Sequence, residues 1–172
     1  MGLLATKGVE GTSFAEVLAA TGSPRGSIYH HFPGGKSELL HAALDLVSSR
    51  GLAVMEQTRG RPAADVVEKF LSLWRQLLDG SELTAGCGVV AVTVAGSEVD
   101  LLDHARTIFR DWTSQLAGLL VAGGVEEVPA QRLAVMIIAA TEGAVVLCRA
   151  ERSREPFDAV AEVLMEMVSR ES

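Results

Sequence analysis

Residues 13–36 read SFAEVLAATGSPRGSIYHHFPGGK, and the punctuation of this stretch decides the fold. Ser13 is placed to cap a helix, with Glu16 three residues on reaching back to the Ser13 backbone N–H in a capping box. Phe14, Val17 and Leu18 then recur at helical spacing and predict the inward face of that helix. Gly22 supplies a sharp turn, because glycine tolerates positive φ. Ser23 caps the next helix and Pro24 takes its first position, where the missing N–H costs nothing. Ile28 and Phe32 point back into a core. A helix, a tight turn, a short second helix and a glycine-rich loop opening a third helix form the layout that sets the second helix into the major groove of DNA.

The residues left on the outer side suit that task individually. Arg25 matches phosphate or guanine, Ser27 is short enough to meet a base edge or a water, and Gly26 lets the backbone come close to a partner. Tyr29, His30 and His31 are donors for phosphate oxygens. Tyr29 is also apolar enough to be half core, and His31 has the alternative of closing the helix end. His30 and His31 form no metal site, since adjacent residues on a helix do not face one another.

The run Ser-Pro-Arg-Gly-Ser-Ile-Tyr-His-His-Phe-Pro-Gly-Gly-Lys, residues 23–36, resembles the recognition helix and following loop of TetR-type regulators. The double histidine and the Pro-Gly-Gly-Lys loop resemble the LmrA/YxaF branch of that family. Weaker resemblance extends to Gly86-Cys87, to residues 109–112 and to residues 147–157. It implies DNA contacts from Thr12, Ser13, Arg25, Gly26, Ser27, Tyr29, His30, His31 and Lys36. Lys36 falls at a helix start, where free N–H groups also favour phosphate. The family begins with a longer, often basic helix. Residues 1–8, from Met1 to Gly8, look like only the last turns of one, with Leu3 and Leu4 offering little to pack. A start upstream of Met1 in the natural reading frame, or a truncated first helix, is therefore expected.

A chain of 172 residues is long enough for one good-sized domain or two smaller ones sharing a helix. Mean hydropathy is positive, +0.28, yet the apolar run 133–148 is interrupted by Glu142 and falls short of the roughly 20 residues that span a membrane. The apolar excess is better placed in a buried dimer interface and an apolar pocket. No basic and apolar leader pattern opens the chain, and its two cysteines, Cys87 and Cys148, have no metal spacing. Both points suit a cytoplasmic protein. The net charge of −7 is unusual for a DNA binder, but it lies distally: residues 1–50 balance Lys7, Arg25, Lys36 and Arg50 against Glu10, Glu16, Glu38 and Asp45. A neutral reading head makes few phosphate contacts, so modest non-specific affinity and a shallow salt dependence are expected.

Beyond the loop, residues 36–57 read as a long helix with Leu39, Leu40, Ala43, Leu44 and Val47 on its apolar face. Pro62 opens a second helix carrying Val66, Val67, Phe70, Leu71, Trp74, Leu77 and Leu78. The valine-rich run 87–94 has strand propensity, but no partner strand is evident and the resemblance implies helix, which is the reading adopted. Residues 101–119 form an amphipathic helix. Pro129 starts a helix that is apolar nearly all round from Leu133 to Cys148 and must be covered on more than one side. Phe157, Val160, Ala161, Leu164, Met167 and Val168 make a stripe on the final helix. Two copies packing residues 129–150 and 155–170 as a four-helix bundle would cover both surfaces. The same homodimer would present two reading heads to a palindromic site.

Among the middle helices, Trp74, Leu78, Cys87, Phe109, Trp112, Leu116 and Met136 are candidates to line an effector pocket, with Glu142 or Thr141 as its polar group. The same residues equally suit an ordinary core. Glu142 either pairs with an arginine across the dimer or faces a ligand, because a carboxylate in an apolar run needs one or the other. No nucleophile, base and orienting group fall at a suggestive spacing, and no metal or phosphate motif occurs; His104 with Glu142 is the one imaginable acid–base pair. The expected architecture is all-α: an N-terminal helix-turn-helix DNA-binding domain over residues 1–47 and a C-terminal helical effector-binding and dimerisation domain over 48–172. The function expected is that of a dimeric repressor, without cofactor, metal or membrane, released from a palindromic operator by a small apolar or aromatic effector. The alternatives are an all-helical enzyme or small-molecule carrier, or a protein-interaction module that has lost DNA binding.

Overall fold

A computed structural model describes residues 2–96 and 98–171; Met1, where the expected truncated helix would begin, lies outside them. Helices occupy 79% of the chain and no strand occurs among the described residues. They run α1 Leu3–Lys7, α2 Phe14–Thr21, α3 Arg25–His31, α4 Gly35–Glu56, α5 Ala63–Gly80, α6 Gly88–Val94, α7 Val99–Ala122, α8 Glu127–Glu151 and α9 Glu155–Glu171. The valine-rich segment is thus a short helix. Val89 and Val92 bury against α7, and this tertiary packing overrides their strand propensity.

Among the described residues, two apolar cores organise the fold. The larger joins α5, α7, α8 and α9 around Val66, Leu71, Leu78, Leu116, Leu120, Ile137 and Phe157. The smaller gathers Leu4 of α1, Leu40 and Leu44 of α4, Val89 and Val92 of α6, and Leu101, Ala105 and Ile108 of α7. Phe109 and Trp112 pack against both, edge to face with ring centroids 5.8 Å apart. Leu4 corrects the expectation that the first helix has little to pack: it is 7% exposed and sits against Gly88, while Ala5 O accepts from the Gly86 N–H at 2.8 Å.

The α4 helix runs without a break across residue 48, the expected domain boundary, so head and body share it. Polar side chains fasten it to α7: Trp112 Nε1 donates to Ser48 Oγ at 3.0 Å and Gln115 Nε2 donates to the Leu52 carbonyl at 3.0 Å, while Asp45 Oδ1 lies 2.8 Å from His104 Nε2 without a hydrogen bond to it. At the other end of α7, Gly123 permits backbone contact. A Cβ there would stand 2.7 Å from Ala63 N and from the Arg61 carbonyl oxygen, and the Gly123 carbonyl accepts from the Ala63 N–H at 3.1 Å.

The last two helices differ from their sequence reading in which faces they bury. The α9 stripe expected to meet a second copy is spent within the chain, with Phe157, Ala161, Leu164 and Val168 buried in the larger core. On α8, one face is buried through Ala130, Leu133, Ala134, Ile137, Thr141, Ala144, Val145 and Cys148, but Val128, Val135, Met136, Val146 and Leu147 are exposed. At 25 residues, α8 also passes the length and composition test for a membrane span that the run 133–148 failed, because it extends past that run at both ends. Its buried face packs on α7 and α9 as a core helix of the body.

Candidate nucleic-acid interface and effector site

The helix-turn-helix is built much as its punctuation implies. Ser13 Oγ accepts from the Glu16 N–H at 3.2 Å and caps α2. The reciprocal half of the capping box is absent, since the Glu16 carboxylate pairs with Lys7 Nζ instead. Gly22 closes α2 in the left-handed region at φ 68°, with its N–H donating to the Leu18 carbonyl. Pro24, not Ser23, is the N-cap of α3, and no side chain caps that end; the Ser23 N–H is taken by Thr21 Oγ1 at 3.3 Å. Ile28 is buried and seats α3 against α2, while Phe32 is half-buried.

Seven of the nine sequence-named contact residues lie together on α3 and the adjoining start of α4. Arg25, Gly26, Tyr29, His30 and His31 are exposed, and Ser27 and Lys36 are half-buried. Tyr29 combines both roles foreseen for it: its ring meets Phe14 edge to face at 5.2 Å, yet the residue remains 61% exposed. Gly26 has open space where a Cβ would stand, so no packing inside the chain calls for glycine there. Ser13 is half-buried at its cap. Thr12 is turned inward, 4% exposed, with its hydroxyl donating to the Gly8 carbonyl at 2.7 Å; it presents no free hydroxyl. The N-terminus of α4 holds a group the sequence reading missed: Glu38 Oε2 accepts from the Gly34 N–H at 2.7 Å. A phosphate arriving beside Lys36 would meet that carboxylate.

The pocket candidates other than Met136 are linked through Phe109 and Trp112, which pack against both cores. Leu78 and Leu116 are buried members of the larger core, with Trp74 half-buried against it. Phe109, Trp112 and Cys87 meet at the smaller core. Met136 stands apart on the outer face of α8, 48% exposed. Thr141 is buried and spends its hydroxyl on the Ile137 carbonyl one turn back. Glu142 lies beside Cys87, whose thiol hydrogen-bonds its carboxyl, while Glu142 Oε1 is buried with no hydrogen-bond partner among the described residues. Burial raises the Glu142 pKa from its ordinary 4.5 to about 7, opposed by the Cys87 hydrogen bond. Burial, and then the neighbouring Glu142 charge, push the Cys87 thiol well above its usual range. His104 does not join Glu142 as an acid–base pair. It faces His41 at a ring-centroid distance of 4.7 Å and Asp45 across the α4–α7 contact. The α4–α7 fastenings were not readable from the sequence, since each joins residues about 60 positions apart by no local spacing rule.

Comparison with known proteins accords with this geometry. Residues 1–53 match the description "Bacterial regulatory proteins, tetR family", and residues 63–163 match "Transcriptional regulator LmrA/YxaF-like, C-terminal domain". Over 98% of its length the chain is 32% identical to an uncharacterized HTH-type transcriptional regulator of Mycobacterium tuberculosis, spanning 90% of that protein. It is 25% identical to the HTH-type regulator YxaF of Bacillus subtilis, again over 98% of the chain and 90% of the relative. Among solved structures, a TetR transcriptional regulator from Legionella pneumophila superposes with a TM-score of 0.85 at 22% identity, covering 95% of this chain and 90% of that one. The chain belongs to the TetR family of helix-turn-helix transcriptional regulators, with a C-terminal domain of the LmrA/YxaF-like type.

Proposed function

We propose that the protein is a homodimeric, cytoplasmic repressor that binds a palindromic operator through α3 and is released by a small apolar or aromatic effector. The observation that carries the DNA reading is the outer face of α3. Arg25, Tyr29, His30 and His31 are exposed there beside a glycine with open space around it, and Lys36 follows at the start of α4. Donors on a short exposed helix, with room for close backbone approach, suit a groove lined with phosphates and base edges.

The dimer reading is supported by the outer face of α8. Val128, Val135, Met136, Val146 and Leu147 are exposed there, with Val163 exposed on α9. A second copy related by two-fold symmetry would cover that surface. The effector reading is supported by the half-buried aromatics Trp74, Phe109 and Trp112 within the body. An effector lowers operator affinity only by binding the two states unequally.

The test is fluorescence anisotropy on a duplex from upstream of the protein's own gene, beside an unrelated duplex, at two salt concentrations. Preferential, salt-sensitive binding that is lost when Tyr29 and Lys36 are both replaced by alanine supports the reading. Equal weak binding to both duplexes, or full operator binding by the double variant, overturns it.

A further inference from the structure

Glu142 carries a largely buried carboxylate with no ion-pair partner among the described residues. Glu142 projects from α8 toward the loop that precedes α6, and its Oε1 has neither solvent nor a hydrogen-bond partner among the described residues. The neighbour it does have, the thiol of Cys87 at the N-cap of α6, is held in its neutral form by burial and supplies no positive charge. Arg149, two turns along α8, carries its Nη1 to 2.9 Å from where a Gly86 Cβ would stand, but makes no ion pair with Glu142. Glu142 forms no group with further His, Cys, Asp or Glu side chains capable of holding a metal among the described residues.

The neighbour of this acid leads into an apolar and aromatic core. Cys87 touches the Glu142 carboxyl and packs into the smaller core beside Phe109 and Trp112. Those two rings stand at the seam between the cores and are only half-buried. An unpaired carboxylate in such surroundings carries a desolvation cost that a neutral hydrogen-bond donor offsets only in part and a cation offsets far better. Aromatic faces add attraction for the same charge.

We infer that the effector is a lipophilic cation, an aromatic amine in its ammonium form, whose charged end displaces the Cys87 thiol from Glu142 while its apolar body packs on Phe109 and Trp112. This rests on the effector reading above and names the ligand class of that site. Binding the cation favours the ionised carboxylate. At pH 6, where the free protein holds a proton on Glu142, binding therefore releases protons to the buffer.

The experiment is titration calorimetry of the full chain with naphthalen-2-ylmethylammonium and with its neutral counterpart naphthalen-2-ylmethanol, at pH 6 in two buffers of different ionisation enthalpy. The expected result is an ammonium preference of about tenfold or more, since removing one member of a buried charge pair is costly. Proton release should accompany the ammonium and not the alcohol. Glu142→Gln should lose both the preference and the proton release, and Glu142→Asp, which keeps the charge on a shorter arm, should recover part of each. Equal affinity for the two probes, no binding of the ammonium, or a preference retained in Glu142→Gln overturns the inference. Operator binding without probe is read in parallel by anisotropy, so the DNA reading and the ligand-class inference fail separately. A neutral compound that frees operator equally from the wild type and Glu142→Gln would keep the effector reading and sink the cation.

Discussion

Replacing Glu142 by glutamine should change how stability depends on pH, and the structure sets both sign and size. The Glu142 carboxyl titrates near 4.5 when exposed and at about 7 in the folded protein, because burial disfavours its charged form. Its contribution to stability is therefore greatest below pH 4.5, where both states hold the proton. As pH rises the unfolded chain ionises first, and the contribution drains away until the folded group also ionises near 7. A shift from 4.5 to about 7 corresponds to a loss of about 3 kcal/mol across that window, as an upper figure for a group not wholly sealed. Glutamine is close in size and does not titrate. The stability of Glu142→Gln relative to wild type should thus rise by up to about 2.5 kcal/mol between pH 5 and pH 8, or roughly 5–10 °C in Tm for a chain of this length. Other titrating groups cancel in the difference between the two proteins. The measurement is urea unfolding of both proteins across that range, at one fixed protein concentration because association would shift both midpoints. A difference that stays constant with pH would refute the reasoning, since it would mean that the carboxylate finds a counter-charge in solution.

The remaining predictions follow from other contacts. Gly123→Ala should destabilise by about 2 kcal/mol or more, because the added Cβ meets backbone of the α5 start at 2.7 Å and neither segment can yield cheaply; thermal unfolding reads it, and an unchanged Tm would deny the close approach. Ser48→Ala removes the acceptor of the Trp112 indole N–H and should cost about 1–2 kcal/mol, whereas Trp112→Phe with Ser48→Ala should cost less than the sum of the two single changes. Leu147→Glu places a charge in the exposed α8 stripe and should shift the protein to monomer in sedimentation without loss of helix content; an unchanged sedimentation coefficient would remove α8 from the interface. Ser13→Ala should cost about 1 kcal/mol through loss of the α2 cap, read by urea midpoint.

Much of the head was legible in the sequence because its rules are local. A cap lies three residues from the N–H it serves, and a left-handed turn demands glycine where Gly22 stands. Exposed and buried positions on α3 follow the helical period, so Ile28 and Tyr29 fall as expected. Two local readings still failed, each through competition. Ser23 lost the cap of α3 to Pro24, whose fixed φ already suits that position, and Glu16 left its capping box for Lys7, a longer-range partner that the spacing does not reveal. Val89 and Val92 show the same competition in the body, where a buried face outweighed local strand preference.

The sequence by itself determined the helices other than α6, the residues available to a DNA groove and the presence of an anomalous acid in an apolar run. Periodicity, caps and turns act over a few residues, so they survive in one dimension. The tertiary structure alone decided which apolar faces are consumed within the chain: Phe157 and Leu164 are, while Val135 and Leu147 remain outside. It alone brought Ser48 to Trp112, and Cys87 to Glu142. An apolar stripe is compatible with any apolar neighbour, and a buried charge with any partner. Only packing in three dimensions chooses among them, because the energies that choose depend on who lies within contact distance and on how much water is excluded there.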